Sequence, residues 1–517
     1  MSDRRRSARE AIAFLTGDFT ELPTPQRDYA PDGPLSWHGY DTSRARAAER
    51  TGEEESVVWG RAVIGPTTAT GAEATGTDTD TAAGVPPPGM SAEAQQHGKA
   101  GARPRTTTGT AAVLISFEFG FLGGSLGERT GDRLEAAYTY AREHRLPVVS
   151  LVATGGSRMQ EGMRALIQLQ RVARQSALTR EAGLAQISVL RDPTTGGGWA
   201  TLGAGADIVL ALPDAQVGFA GSRVRPPDAD PAAYTAESQV TAGSVDAVVP
   251  PEALRETLGR WLRLLTNPST RPAPPPPHLP MPSSFPIGRA PEGARGIARA
   301  TTDDPRLLPT TGREAVERAR SLQRPRADAY LHAYFTHRAA ISGDRVGGTD
   351  PGMLCGFGEH EGRTVAYAAQ CGTATRPAGY RTAARLIRLA DRLGIPVLTL
   401  VDTPGAANDA EAERQGVGPA IADLFTAVTS ARTPLTTLLI GEGGSGGALA
   451  LATPDNTWAT PDSYFSVIAP EMAAAILKRP EELAGATADE LRVRPQDLVE
   501  LGVVRGVVGP ATSRPPG

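Results

Sequence analysis

The sequence predicts an α/β protein of two homologous domains, and three observations carry that prediction. Its 517 residues, 40% of them hydrophobic, are too many for a single core. Two stretches repeat the order helix, buried strand, glycine loop. A Pro-rich segment between them reads as a boundary.

In the first stretch Arg133 to His144 has helical spacing, Leu146 to Val152 reads as a buried strand, and Thr154-Gly155-Gly156-Ser157 as a loop. Ile187 to Leu190 then leads into Asp192-Pro193-Thr194-Thr195-Gly196-Gly197-Gly198 and a helix of small residues, followed by a strand over Ala206 to Leu210. In the second stretch Leu386, Leu389 and Leu393 mark a helix over Tyr380 to Leu393. Pro396 to Val401 is a buried strand and Asp402-Thr403-Pro404-Gly405 a loop. Leu435 to Ile440 leads into Gly441-Glu442-Gly443-Gly444-Ser445-Gly446-Gly447 and another small-residue helix.

The expected division is an N-terminal tail over 1–34, a first domain over 35–266, a stiff linker over 267–326 and a second domain over 327–517. The linker holds the run from Pro272 to Pro277. Pro66 to Gly109 is rich in Thr, Ala, Gly and Pro, lacks the apolar surface to order itself, and reads as a disordered insertion in the first domain.

A net charge of −4, with no clustered basic face, argues against nucleic acid as a partner. Positive charge is nearly all Arg, with only Lys99 and Lys478 as lysines. Two cysteines, Cys355 and Cys371, are too few for a disulfide framework or a zinc site, so no metal is expected. No run approaches the ~18 apolar residues of a membrane span, and the expectation is a soluble cytoplasmic protein.

Paired glycines after a strand suit one kind of chemistry. The first N–H groups of a helix lack partners and sit at the positive end of its dipole. Glycine lets a ligand reach that backbone, and two adjacent N–H groups can hold the oxygen of an enolate. The rival reading is that small residues only permit tight helix–sheet packing. A phosphate loop is excluded because no Gly-Lys-Ser/Thr ending follows Gly441 to Gly447. Ser445 lacks the five-residue nucleophile-elbow pattern, and none of the seven histidines falls in a recurring loop. Glu161 and Glu442, the carboxylates nearest the glycine loops, are expected to close those loops by accepting backbone N–H bonds.

Longer motifs carry a resemblance. Phe119 to Gly127, Gly155 to Gly162, Asp192 to Gly197 and Phe219 to Arg223 resemble the beta subunit of acetyl-CoA carboxylase carboxyltransferase. Pro377 to Arg381, Asp402 to Ala406, Gly441 to Ala450 and Tyr464 to Glu471 resemble its alpha subunit. The match covers roughly 35–65, 110–265 and 328–510, in family order. It implies two homologous crotonase-like domains built of β-β-α spiral units. The first would bind acyl-CoA and the second the carboxybiotin of a separate carrier protein, with biotin carboxylase as a further partner. The sites would form between protomers of a dimer or hexamer. By the same resemblance, Gly197 and Gly198 would hold the thioester enolate oxygen, and Gly447 and Ala448 the biotin ureido oxygen. Gly155, Gly156, Ser157, Arg158 and Gly196 would shape the CoA side, with Gly405, Ala406 and Gly446 opposite.

The chain departs from the family pattern in places. The four-cysteine zinc ribbon of many beta subunits is absent, and Ser157 stands where Ala is usual. Trp199 replaces a small residue and is expected to crowd the thioester, while Ala469, Met472 and Asn408-Asp409 alter two loops of the second domain. The activity expected is carboxyl transfer to acetyl-CoA or a short acyl-CoA. A malonyl-thioester decarboxylase and a catalytically silent carboxylase-binding paralogue are the alternatives.

Overall fold

A computed structural model describes residues 6–24, 27–65, 109–281, 302 and 304–511. The insertion expected over 66–109 lies outside these residues except for Gly109.

The first domain is one twisted sheet. Strands β1 (Asp18–Glu21), β2 (Val57–Ile64) and β3 (Thr110–Phe117) pair antiparallel. β4 (Val148–Thr154), β5 (Gln186–Thr195), β6 (Ile208–Ala211), β7 (Val217–Gly218) and β8 (Ala247–Val248) extend it in parallel. The apolar runs Val148 to Val152 and Ile187 to Leu190 form central strands because both faces are covered. The helix expected over 133–144 spans Glu128–Glu143 and packs beside the helix Gly162–Glu181.

The second sheet repeats this plan. β9 (His337–Ile341), β10 (Met353–His360) and β11 (Arg363–Gln370) pair antiparallel. β12 (Val397–Thr403), β13 (Leu435–Gly444), β14 (Thr457–Ala459) and β15 (Tyr464–Ser466) follow in parallel. The covering helices are Pro377–Leu393, stopped by Gly394 in the left-handed region, and Val417–Ser430.

Two boundaries differ from expectation. Within the supposed tail, Ala8–Leu15 is a helix capped by a reciprocal Ser7–Glu10 box, and it buries Ala8, Ala11, Ile12 and Leu15 in the core. β1 then completes the sheet edge. Within the supposed linker, Ala273 is buried, its carbonyl accepts Thr436 Oγ1 at 2.7 Å, and His278 N–H bonds to Gly509 O at 2.9 Å. Gly312–Arg320 is a helix burying Ala315, Val316 and Ala319 against Tyr464, Ala488 and Val493. Apolar spacing decides the two helices, Ala8–Leu15 and Gly312–Arg320.

The two sheets share one apolar core. Helix Pro251–Leu265 lies between them, with the Trp261 and Phe357 rings edge to face at 6.3 Å. Among the described residues no helix is long and apolar enough to cross a membrane.

Candidate active site

Each domain brings its two glycine loops together where parallel strands end. Thr154 at the end of β4 pairs with Thr194 of β5, and Thr403 at the end of β12 pairs with Gly443 of β13. The second pair lies 249 positions after the first, and the offset holds across the loops. Gly156 (φ +103°) corresponds to Gly405 (φ +141°), and Gly196 (φ +64°) to Ser445 (φ +61°). A threonine hydroxyl supports each first loop, since Gly156 N–H donates to Thr154 Oγ1 at 3.0 Å and Gly405 N–H to Thr403 Oγ1 at 3.1 Å. Ser445 holds a left-handed conformation that costs a non-glycine residue energy, which marks this turn as imposed by its surroundings.

This register relates the glycines of the two domains to one another. By strand offset Gly197 and Gly198 correspond to Gly446 and Gly447, and the expected ureido-side pair Gly447 and Ala448 lies one residue further along the same short helix. Gly197 and Gly198 are buried, and a Cβ on either would strike Leu169 or Thr154 at 2.4 or 2.3 Å. Gly447 is just as tight, its Cβ position lying 2.4 Å from Ala406 N and 2.6 Å from the Tyr380 hydroxyl oxygen. Gly446 is exposed and meets nothing within 4 Å. Gly155 is exposed too. Gly156, Gly196, Gly405 and Ala406 line the contacts between loops: the Cβ position of Gly156 is 3.6 Å from Gly196 Cα, and that of Gly405 is 3.5 Å from Gly444 O. Ala448 is fully buried behind them.

Arg158, expected on the CoA face, is buried and faces inward. Its Nη1 donates to Glu55 Oε2 and to the Tyr40 hydroxyl, both at 3.0 Å, and its Nη2 donates to Glu55 Oε1 and, at 2.8 Å, to Ser125 O. Burial alone would raise the Glu55 carboxyl, but the Arg158 guanidinium overrides it and holds the group down at about 2. Tyr40 donates onward to Glu161 Oε1 at 2.5 Å, while Glu161 Oε2 accepts Glu128 N–H at 2.6 Å. Glu161 thus caps a backbone N–H as expected. Arg158 fixes the loop from beneath, and its neighbour Ser157 continues it through a parallel bridge to Leu126.

Glu442 departs from expectation. Its carboxylate accepts Tyr464 OH at 2.8 Å and Arg320 Nε at 3.1 Å, so its partners are side chains. Asp402, at the end of β12, is held by Arg324 at 2.9 and 3.0 Å and itself accepts Glu442 N–H at 3.1 Å.

Two departures acquire local roles. Trp199 turns into the core with Leu190, Val209 and Val217, over Gly203, so it packs the domain interior and does not crowd the loop opening. Asp409 caps the helix Ala410–Arg414 by accepting Glu411 and Ala412 N–H.

The residues missed in the sequence are Tyr40, Glu55, Thr154, Arg320, Arg324 and Thr403. The threonines had a signal, because each precedes a glycine loop in its repeat. The others lie far along the chain from their partners.

Exposed apolar side chains follow the loop segments of both domains along the chain. Met159, Met163, Leu166 and Ile167 are exposed at and after the first loop, with Phe219 nearby in sequence to β7. Leu449, Val467, Met472 and Ile476 are exposed in the second domain.

Comparison with known proteins assigns the chain. Residues 106–248 match the family described as carboxyl transferase domain, and 309–513 that described as acetyl co-enzyme A carboxylase carboxyltransferase-like. The acetyl-coenzyme A carboxylase carboxyl transferase subunits beta/alpha of Saccharopolyspora erythraea is 37% identical over 419 residues, spanning 78% of this chain and 70% of that protein. Its counterpart in Salinispora arenicola is 39% identical over 428 residues, spanning 78% and 72%. A probable biotin-dependent acyl-coenzyme A carboxylase beta3 subunit of Mycobacterium bovis is 32% identical over 411 residues, spanning 77% of each. In fold, the chain superposes on transcarboxylase 12S, solved as a hexamer with hydrolysed methylmalonyl-coenzyme A bound, at a TM-score of 0.69, covering 99% of this chain and 92% of that one. The chain is an enzyme of the biotin-dependent acyl-CoA carboxylase carboxyltransferase family, with the beta-type and alpha-type parts fused into two crotonase-like domains.

Proposed function

We propose that the chain carries a carboxyl group from carboxybiotin on a separate carrier protein to acetyl-CoA or a short acyl-CoA. The first-domain loops face the thioester and the second-domain loops face biotin. The observation that carries this is the shared register, which sets two strand-end glycine loops side by side in both domains.

The second-domain loop suits a planar ureido group. Ser445, Gly446 and Leu449 are exposed at the head of a helix, and the space a Cβ would take at Gly446 is open. When bound there, carboxybiotin supplies the carboxyl group and the ureido base. The chain's own part is to offer N–H groups at the start of the Ser445–Leu449 helix, those of Gly447 and Ala448 with Gly446 beside them, to the ureido oxygen, and of Gly197 and Gly198 to the thioester oxygen. Backbone donors need no titration, so this reading calls for no histidine or carboxylate as the oxygen-holding group.

In this reading the protein works in the cytoplasm, in fatty acid synthesis, beside an ATP-dependent biotin carboxylase, as a homo-oligomer with sites shared between copies. The test is carboxylation of an acyl-CoA panel with purified biotin carboxylase and biotinylated carrier. Acetyl-CoA or propionyl-CoA is the expected acceptor, and the absence of any carboxylated product, with malonyl-CoA decarboxylated alone, would refute it.

A further inference from the structure

Two arginines four positions apart, Arg320 and Arg324, hold the two glycine loops of the second domain. Both lie in the segment before β9, outside the loops themselves. Arg324 reaches Asp402, one residue before Thr403-Pro404-Gly405, and also donates to Ile440 O at 2.9 Å. Arg320 reaches Glu442, one residue before Gly443-Gly444-Ser445.

The Arg320 contacts form a three-part set. Its Nε donates to Glu442 Oε2 at 3.1 Å, and its Nη2 to Tyr464 OH at 3.3 Å. Tyr464 OH in turn donates to the same Glu442 oxygen at 2.8 Å. The first domain builds the same trio from other positions: Arg158 donates to Tyr40 OH at 3.0 Å, Tyr40 donates to Glu161 at 2.5 Å, and Arg158 lies 3.6 Å from Glu161. Each domain therefore braces a glycine loop with an arginine, a tyrosine hydroxyl and a glutamate.

The two braces differ in access. The Arg158 side chain is fully buried, whereas that of Arg320 is 35% exposed. Arg320 lines a cavity of about 600 Å³ with Glu317, Glu471 and Glu481, and its Nη1 donates to Glu471 at 2.7 Å. Without the guanidinium, Glu442 and Glu471 would lose the cation they share, and the Glu442 carboxylate would keep the Tyr464 hydroxyl but no charged partner.

Resting on the assignment of this loop to biotin, we propose that Arg320 is a positioning residue that sets the Ser445-Gly446-Gly447 turn for the biotin ureido group through Glu442 and Tyr464. It touches no substrate. Its removal acts on the biotin half of the reaction and leaves the thioester half intact.

The test uses the full chain with Arg320→Ala, Arg320→Lys and Tyr464→Phe. Malonyl-CoA decarboxylation stimulated by free biotin gives a separate KM for each substrate, and amide hydrogen exchange over 441–449 reads the loop without any need for turnover. Arg320→Ala is expected to raise the KM for free biotin by about tenfold, the size of one lost charge-assisted hydrogen bond. The KM for malonyl-CoA should stay within about twofold, since the Arg320 side-chain bonds go to Glu442, Tyr464 and Glu471 of the second domain. Tyr464→Phe should give a smaller shift in the same direction, Arg320→Lys a partial rescue, and exchange should quicken over 441–449 alone. An unchanged biotin KM or unchanged local exchange in Arg320→Ala would overturn the proposal. So would a rise in exchange across the whole second domain with a fallen Tm, which marks a merely structural residue. If Arg320→Ala fails to fold, Tyr464→Phe and Arg320→Lys decide by the same two readouts. If the wild-type chain turns over no acyl-CoA, the functional assignment fails, and the exchange result still decides whether Arg320 holds the loop.

Discussion

Asp246 of the first domain and Arg385 of the second are joined at 2.8 Å across the seam between the sheets. The same carboxylate accepts Arg345 Nη2 at 2.5 Å and the backbone N–H groups of Val209 and Ser342. Burial works against its charge, but the two guanidiniums hold its pKa below the ordinary Asp value. Removing one partner of a buried ion pair costs about 3–5 kcal/mol. Asp246→Ala should lose stability of that order in denaturant unfolding. A change near zero would mean the seam is held by the apolar core alone.

Close backbone contact marks the same seam. Gly243 and Gly343 both have positive φ, and a Cβ on Gly343 would stand 2.0 Å from Gly243 Cα. Gly343→Ala should therefore part the domains locally. Limited proteolysis near 343 should speed up, while an alanine at Gly418, where nothing lies within 4 Å, should leave the pattern unchanged.

The glycine loops can be tested cleanly at Gly446. Valine at Gly197 or Gly447 would strike Leu169, or Ala406 and Tyr380, so loss of activity there would be confounded by misfolding. Gly446 has open space around its Cβ position and an ordinary φ. Gly446→Val should keep the wild-type Tm and lose carboxyl transfer by ~10²-fold or more, because the side chain bars the ligand from backbone donors, one of which alone is worth that much. Near-wild-type turnover would make the loop a packing device.

Acid should unlock the first-domain brace only at low pH. Glu55 sits at about 2 in the fold against an ordinary 4.5. A depressed carboxyl stabilises above its unfolded pKa, and that contribution fades as pH falls towards the folded value. The stability difference between wild type and Glu55→Gln should therefore be constant from about pH 8 to pH 5.5 and shrink by about pH 3. A difference that changes between pH 8 and 5.5 would mean that another group controls Arg158.

What could be read from the sequence was what repeats locally. Buried strands, the helices before them and the glycine turns carry their signal within ten or so residues, and all fall close to their expected places. Pairings across distance carried none. Glu55 and Tyr40 reach Arg158 from 103 and 118 positions away, with no periodicity to announce them. The 249-position register between the two domains has the same character, because only the strand pairing of Thr154 with Thr194 and of Thr403 with Gly443 sets it. Helix Ala8–Leu15 differs: Ser7, Glu10 and the apolar spacing of Ala8, Ala11, Ile12 and Leu15 were present, masked by the arginines around them.

Shared sites make a final prediction that needs no substrate preference to be known. Each domain exposes apolar side chains in and around its loops, Met159, Met163 and Ile167 in one and Val467, Met472 and Ile476 in the other. Exposed apolar groups of this size mark surfaces that pair. If a first-domain loop of one copy faces a second-domain loop of its partner, two inactive variants should complement each other. Gly155→Val would block the first loop and Gly446→Val the second, and both glycines are exposed. After the two proteins are mixed and the subunits exchanged, a mixed dimer holds one doubly blocked site and one intact site. With random pairing, activity should return to about a quarter of the wild-type level, the statistical expectation for a two-fold dimer. If these surfaces form the contact, charge introduced there, as in Met163→Glu or Ile476→Glu, should shift the oligomer towards monomer in analytical ultracentrifugation and abolish complementation. No recovery on mixing two well-folded variants would place each complete site within a single chain and remove the shared-site reading.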